Sequence, residues 1–182
     1  MAIPIIFLDI DGVLNGHDRH ANGYCGIHPD KVERLNRIVR ETGAKIVISS
    51  AWRYMVRKGA MTLDGFRYLL LIHGLDGSAE LLPPTMLDEK VPGRGEQINH
   101  WLIQWARREP RVNYVVIDDG SDERQFGGSQ TLSESLATHH LDRWVKTDSA
   151  VGLTDADVDR AIAILTAPPP PPSDSAPASG QA

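Results

Sequence analysis

Ile5-Ile6-Phe7-Leu8-Asp9-Ile10-Asp11-Gly12-Val13-Leu14-Asn15 is the stretch on which the fold of this chain turns. An apolar run stops at two aspartates spaced two apart, and a glycine follows at once. Residues i and i+2 of a strand point to the same face, so Asp9 and Asp11 are expected on one side of the strand end. Two carboxylates there repel each other unless a cation sits between them. Hard cations such as Mg²⁺ take oxygen ligands in this way and keep places for water and a substrate phosphate. Gly12 allows a sharp backbone turn. A plain polar turn uses the same residue types, so the pair has to be weighed with the rest of the chain.

Two further apolar runs resemble the first. Ala44-Lys45-Ile46-Val47-Ile48 ends at Ser49-Ser50, and Val112-Asn113-Tyr114-Val115-Val116-Ile117 ends at Asp118-Asp119. Together with Ile3–Ile10 they predict three strands rich in β-branched residues and covered on both faces, as in a parallel sheet. Helical spacing lies between them. Pro29 suits a first helical position, Val32, Leu35, Ile38 and Val39 follow, and Gly43 is a stop signal. A second helix is expected from about Gly95 to Arg108, with Ile98, Trp101, Leu102 and Trp105 on one stripe. A third begins at Thr154, where Thr154-Asp155-Ala156-Asp157 resembles a capping sequence. Around Gly65–Ile72 a short helical piece is expected, with loops over the rest of 53–93. This alternation predicts an α/β fold, a Rossmann-like doubly wound parallel sheet with helices on both faces.

At 182 residues the chain is expected to form one domain over residues 1–166, followed by a Pro/Ala/Ser-rich tail at 167–182. Five consecutive prolines at 168–172 make that tail extended or disordered. The net charge of −5 argues against a broad nucleic-acid footprint, which needs a basic face, but leaves room for a pocket that grips one phosphate. Cys25 has no second cysteine to pair with, which fits a reducing cytoplasm and no disulfide-linked partner. The N-terminal apolar run reaches Asp9 too soon for a membrane span.

In open α/β sheets, sites form beyond the carboxyl ends of the strands. All three predicted strands end in polar groups there: Asp9/Asp11, Ser49/Ser50 and Asp118/Asp119. One polar end means little. Three together point to a metal site beside an oxyanion.

These residues resemble the haloacid dehalogenase (HAD) superfamily, whose pattern is a strand with DxDG, a second ending in Ser or Thr, a later Lys or Arg, and a third ending in acidic residues. The wording Phe7–Asn15, Ile48-Ser49-Ser50-Ala51-Trp52-Arg53, Arg94-Gly95-Glu96-Gln97-Ile98 and Val116-Ile117-Asp118-Asp119 is similar to the small HAD domains associated with RNA-repair proteins. Gly152-Leu153-Thr154 fits that group too.

The resemblance implies a Mg²⁺-dependent phosphomonoester hydrolase. Asp9 would attack phosphorus and become an aspartyl-phosphate, and Asp11 would act as general acid and then general base. The Asp9 carboxylate, the Asp11 backbone carbonyl and Asp119 would hold the metal, with Asp118 or Asp122 in support. Mn²⁺ suits the same oxygen donors. Ser49 would hydrogen-bond a phosphate oxygen, with Ser50 as its rival, because a one-residue shift at a strand end changes the face presented. Arg94 is preferred over Lys90 as the phosphate-stabilising cation. Arg53 could fork onto a phosphate, or lie exposed at a helix start.

His17 and His20 read as loop residues, His139-His140 has no partner at zinc-ligand spacing, and Trp101 and Trp105 read as core. Only 37 residues separate Ser50 from Asp88, so a minimal cap is expected, with 15–27 as a flap and 53–90 as a partial cover. Such an open site admits a nucleic-acid end, a nucleotide or a phosphorylated small molecule. Two other readings share the fold: a non-catalytic module that binds a phospho-ligand or partner, and a phosphotransferase.

Overall fold

The computed structural model describes residues 2–16, 26–53, 55, 58–83, 91, 93–106, 111–120 and 132–168. Five strands form one parallel sheet: β1 (Ile3–Leu8), β2 (Lys45–Ile48), β3 (Leu81–Leu82), β4 (Val112–Asp118) and β5 (Trp144–Lys146). Their order is β3-β2-β1-β4-β5. The chain winds outward from β1 to β3, then crosses back to place β4 on the other side of β1. The topological switch point therefore lies between β1 and β4, where this class of sheet opens a crevice.

Among the described residues five α-helices accompany the strands: α1 (Pro29–Thr42), α2 (Leu63–Ile72), α3 (Arg94–Ala106), α4 (Leu132–His140) and α5 (Asp155–Thr166). Pro29 starts α1 and Gly43 ends it at φ 67°, the left-handed position that glycine takes without strain. Thr154 and Asp157 form a reciprocal capping box at the start of α5. These boundaries agree with the sequence signals.

Strand alternation sorts the core into two layers. Ile6, Leu8, Ile46, Ile48, Val115, Ile117 and Val145 face one side, packed with Leu35 and Ile38 of α1 and Val158 and Ala161 of α5. Ile5, Phe7, Val47, Val116 and Trp144 face the other, packed with Ile98 and Trp101 of α3 and Leu136 of α4. Phe7 meets the Trp101 ring edge-on at 5.1 Å, and Trp101 stacks on Trp105 at 4.8 Å. Both tryptophans thus pack in the core layer, as their apolar stripe implies.

The structure corrects three details. The first strand ends at Leu8 rather than Ile10. Asp9 N–H still reaches Ile117 O at 3.0 Å, but its carboxylate then accepts the Ile10 N–H at 2.8 Å and the turn begins. Two edge strands, β3 and β5, and the helix α4 went unread. With two and three residues, those strands are too short to show any period. Among the described residues no helix is long and apolar enough to cross a membrane. The expected flap and cover fall partly, and Cys25, His17, His20 and the tail from residue 169 wholly, outside the described residues.

Because Phe7 is fully buried at the centre of the sheet, Phe7→Ala should cost about 3–5 kcal/mol. Urea unfolding measures this, and a loss below about 1.5 kcal/mol would mean that the α3 layer packs without it.

Candidate functional site

Register decides which polar groups meet. Leu8 pairs with Ile48 on one side and Ile117 on the other, so Ser49, Asp9 and Asp118 follow in one row across three adjacent strands. They continue the alternation of Val47, Phe7 and Val116, which all face α3. The row is therefore delivered to the first turn of α3, which carries Arg94.

Arg94 is almost completely buried. Its Nη1 bonds Asp118 Oδ2 at 2.5 Å and lies 3.1 Å from Asp9 Oδ2. A cation in the first turn of a helix opposes the macrodipole, so its place there is explained by the two carboxylates it faces. Burial alone would lower the arginine's pKa, yet Asp118 and Asp9 overcome it and hold the guanidinium above its ordinary value. Asp118 responds the other way. Burial pushes its carboxyl up to about 7 against the pull of Arg94, and Asp9 adds to the rise.

Asp119 is the third acid. Carboxylate oxygens of Asp9, Asp118 and Asp119 lie within 4.8 Å of one another, and all three residues are buried. Three carboxylates this close form an all-oxygen donor set of the kind a hard divalent cation takes. Gly12 makes the cluster possible: it adopts φ 73°, and a Cβ there would collide with the Asp119 carboxylate. Thr147 Oγ1 donates to Gly12 O at 2.8 Å, and Trp144 Nε1 donates to Asp118 O at 2.9 Å, so the end of β5 and the adjoining Thr147 brace the backbone of the cluster.

Asp11 stands apart from the three. Its carboxylate is exposed and accepts Asn15 Nδ2 and Trp52 Nε1, each at 2.9 Å. Ser49 is fully buried, and its Oγ has no hydrogen-bond partner among the described residues. Ser50 Oγ accepts the Trp52 N–H at 3.3 Å. The two serines are thereby distinguished: one hydroxyl shares the Asp9 row, the other closes a turn. Arg53 is buried rather than exposed. It donates to the carbonyls of Ser49 and Ser50 and to Gln97 Oε1, tying the end of β2 to α3. Lys90 and Asp122 lie outside the described residues.

Several supporting residues were missed in the sequence. Gln97 lies one turn after Arg94 and holds Val91 O at 3.0 Å as well as Arg53. Ser135 Oγ accepts the Gly95 N–H at 3.0 Å, and His140 Nε2 sits 2.7 Å from Gly95 O. Only the adjacency of Gln97 to Arg94 carried a signal; the α4 contacts are tertiary.

A parallel α/β sheet with buried acids gathered at its switch point defines a HAD-type domain. Residues 5–158 match the model of the HAD domain in Swiss Army Knife RNA repair proteins, and the chain belongs to that family. No curated protein and no solved structure matches it significantly.

Arg94→Met leaves Asp9 and Asp118 buried without their cation, and should cost about 3–5 kcal/mol in urea unfolding with EDTA near neutral pH. A loss below about 1 kcal/mol, the range of an exposed pair, would contradict this placement.

Proposed function

We propose that the protein is a Mg²⁺-dependent phosphomonoester hydrolase working through an aspartyl-phosphate on Asp9. Family membership supports phosphatase-like chemistry at the coarse level. The observation that carries the finer reading is the row of Ser49, Asp9 and Asp118 facing Arg94, with Asp119 completing a three-carboxylate cluster.

Asp9 attacks phosphorus, and the bond from phosphorus to the leaving oxygen breaks as the new bond forms. Asp11 gives its proton to that oxygen and then takes one from the water that cleaves the acyl phosphate. The Ser49 hydroxyl donates to a phosphate oxygen, which accounts for a buried Oγ without a partner among the described residues. Arg94 holds Asp9 and Asp118 in place and contributes positive charge toward the transferred group. Arg53 fixes the backbone that presents Ser49, acting behind the phosphate rather than on it. Asp9, Asp119 and the Asp11 carbonyl would hold Mg²⁺ with Asp118 in support, and the ion would offset charge between nucleophile and phosphate.

The substrate class we favour is a nucleic-acid terminal phosphate, in keeping with the family description. A nucleotide is the competing small-molecule substrate. We place the activity in the cytoplasm, in keeping with the lone Cys25.

Phosphate release should be measured on oligonucleotides with 3′- or 5′-phosphates, on a nucleotide panel and on 4-nitrophenyl phosphate. Turnover with Mg²⁺ should vanish in EDTA and fall at least about a thousandfold in Asp9→Asn, as loss of a nucleophile does. Folded, Mg²⁺-loaded protein that releases phosphate from none of these would overturn the hydrolase in favour of a phosphotransferase or a binding module.

A further inference from the structure

Trp52 follows Ser49-Ser50 at the mouth of the site, and the reaction as written leaves it without a part. Its indole Nε1 donates to Asp11 Oδ2 at 2.9 Å, while Asn15 Nδ2 donates to Asp11 Oδ1 at 2.9 Å. Both oxygens of the Asp11 carboxylate thus receive an N–H. Neither donor is loosely held. Asn15 is almost fully buried and accepts the Gly12 N–H at 2.8 Å. Trp52 is half-buried, and its ring meets Phe66 of α2 at 6.1 Å in an edge-to-face contact (79° between planes). Phe66 is itself buried in the larger core. A rigid line therefore runs from the core through Phe66 and Trp52 to a carboxylate that is otherwise exposed.

We propose that Trp52 is a positioning residue for general acid–base catalysis, its indole N–H fixing the Asp11 carboxylate and Phe66 fixing the indole. An exposed aspartate samples several rotamers. Proton transfer demands one, because a general acid works only within hydrogen-bond reach of the leaving oxygen. The same N–H stabilises negative charge as it develops on Asp11 when the proton departs, a contribution larger in the transition state than before it. This inference rests on the hydrolase reading and on Asp11 as its acid.

The test compares kcat/KM for phenyl phosphate and 4-nitrophenyl phosphate, two esters of similar shape. Phenolate needs a proton as it leaves, whereas 4-nitrophenolate leaves nearly unaided. Trp52→Phe keeps a smaller aromatic ring beside Phe66 and removes the N–H. It should lower kcat/KM about ten- to a hundredfold for phenyl phosphate, the range for a hydrogen bond to a charged group, and less than about threefold for the nitro ester. Asp11→Asn should show the same selectivity more strongly, and adding Trp52→Phe to it should cause no further loss, since the two act as a unit. Phe66→Leu keeps the N–H but loosens the ring, and should reproduce the selectivity in smaller measure, so one misfolded variant does not decide the matter. Equal losses on both esters, no loss on either, or full additivity with Asp11→Asn would overturn the proposal while the hydrolase stands. An Asp11→Asn variant without selectivity would overturn the reading of Asp11 and this inference with it. If only the phosphorylated oligonucleotides turn over, Trp52→Phe should lower kcat/KM on them about tenfold or more, and no loss there would overturn the proposal.

Discussion

Arg94 is the only cation seen among three buried carboxylates of the described residues, and the end of the sheet is organised around that contact. Charges this deep are costly unless paired. Arg94 answers that cost for Asp9 and Asp118 by facing both at once. A core built for stability alone would do better with apolar side chains of the same volume. Three carboxylates gathered at one end of the sheet are instead an oxygen-rich set that could hold a divalent cation.

Each supporting contact serves to keep those groups from moving apart. The parallel register aligns Ser49, Asp9 and Asp118, and Gly12 opens space for Asp119. Gln97 and Arg53 lock α3 to the end of β2, while Ser135 and His140 lock its first turn to α4. Gly95 permits that approach, since a Cβ there would strike the Ser135 backbone. Such second contacts hold the row and its facing guanidinium in one geometry.

Much of this was legible in the chain, for identifiable reasons. The three central strands are buried on both faces and so read as unbroken apolar runs, and their polar ends placed Asp9/Asp11, Ser49/Ser50 and Asp118/Asp119 at one end of the sheet. Pro29, Gly43 and Thr154 marked helix boundaries through local backbone chemistry. What stayed hidden is tertiary. The choice between Ser49 and Ser50 depends on strand parity at one residue, which a run of letters does not fix. Arg53 read as a phosphate-binding or an exposed helix-start arginine because nothing nearby in sequence shows it bonding Gln97. β5 is three residues long, yet Trp144 and the adjoining Thr147 brace the acidic cluster.

The central claim is that Asp9, Asp118 and Asp119, with Arg94 between two of them, form a site for one divalent cation. Titrating the full chain with Mn²⁺ and following free ion by electron paramagnetic resonance measures this directly, without reliance on any substrate. The account predicts one bound ion per chain, displaced by Mg²⁺ and lost in Asp119→Asn with the fold intact. No bound ion, or binding indifferent to Asp119, would contradict it.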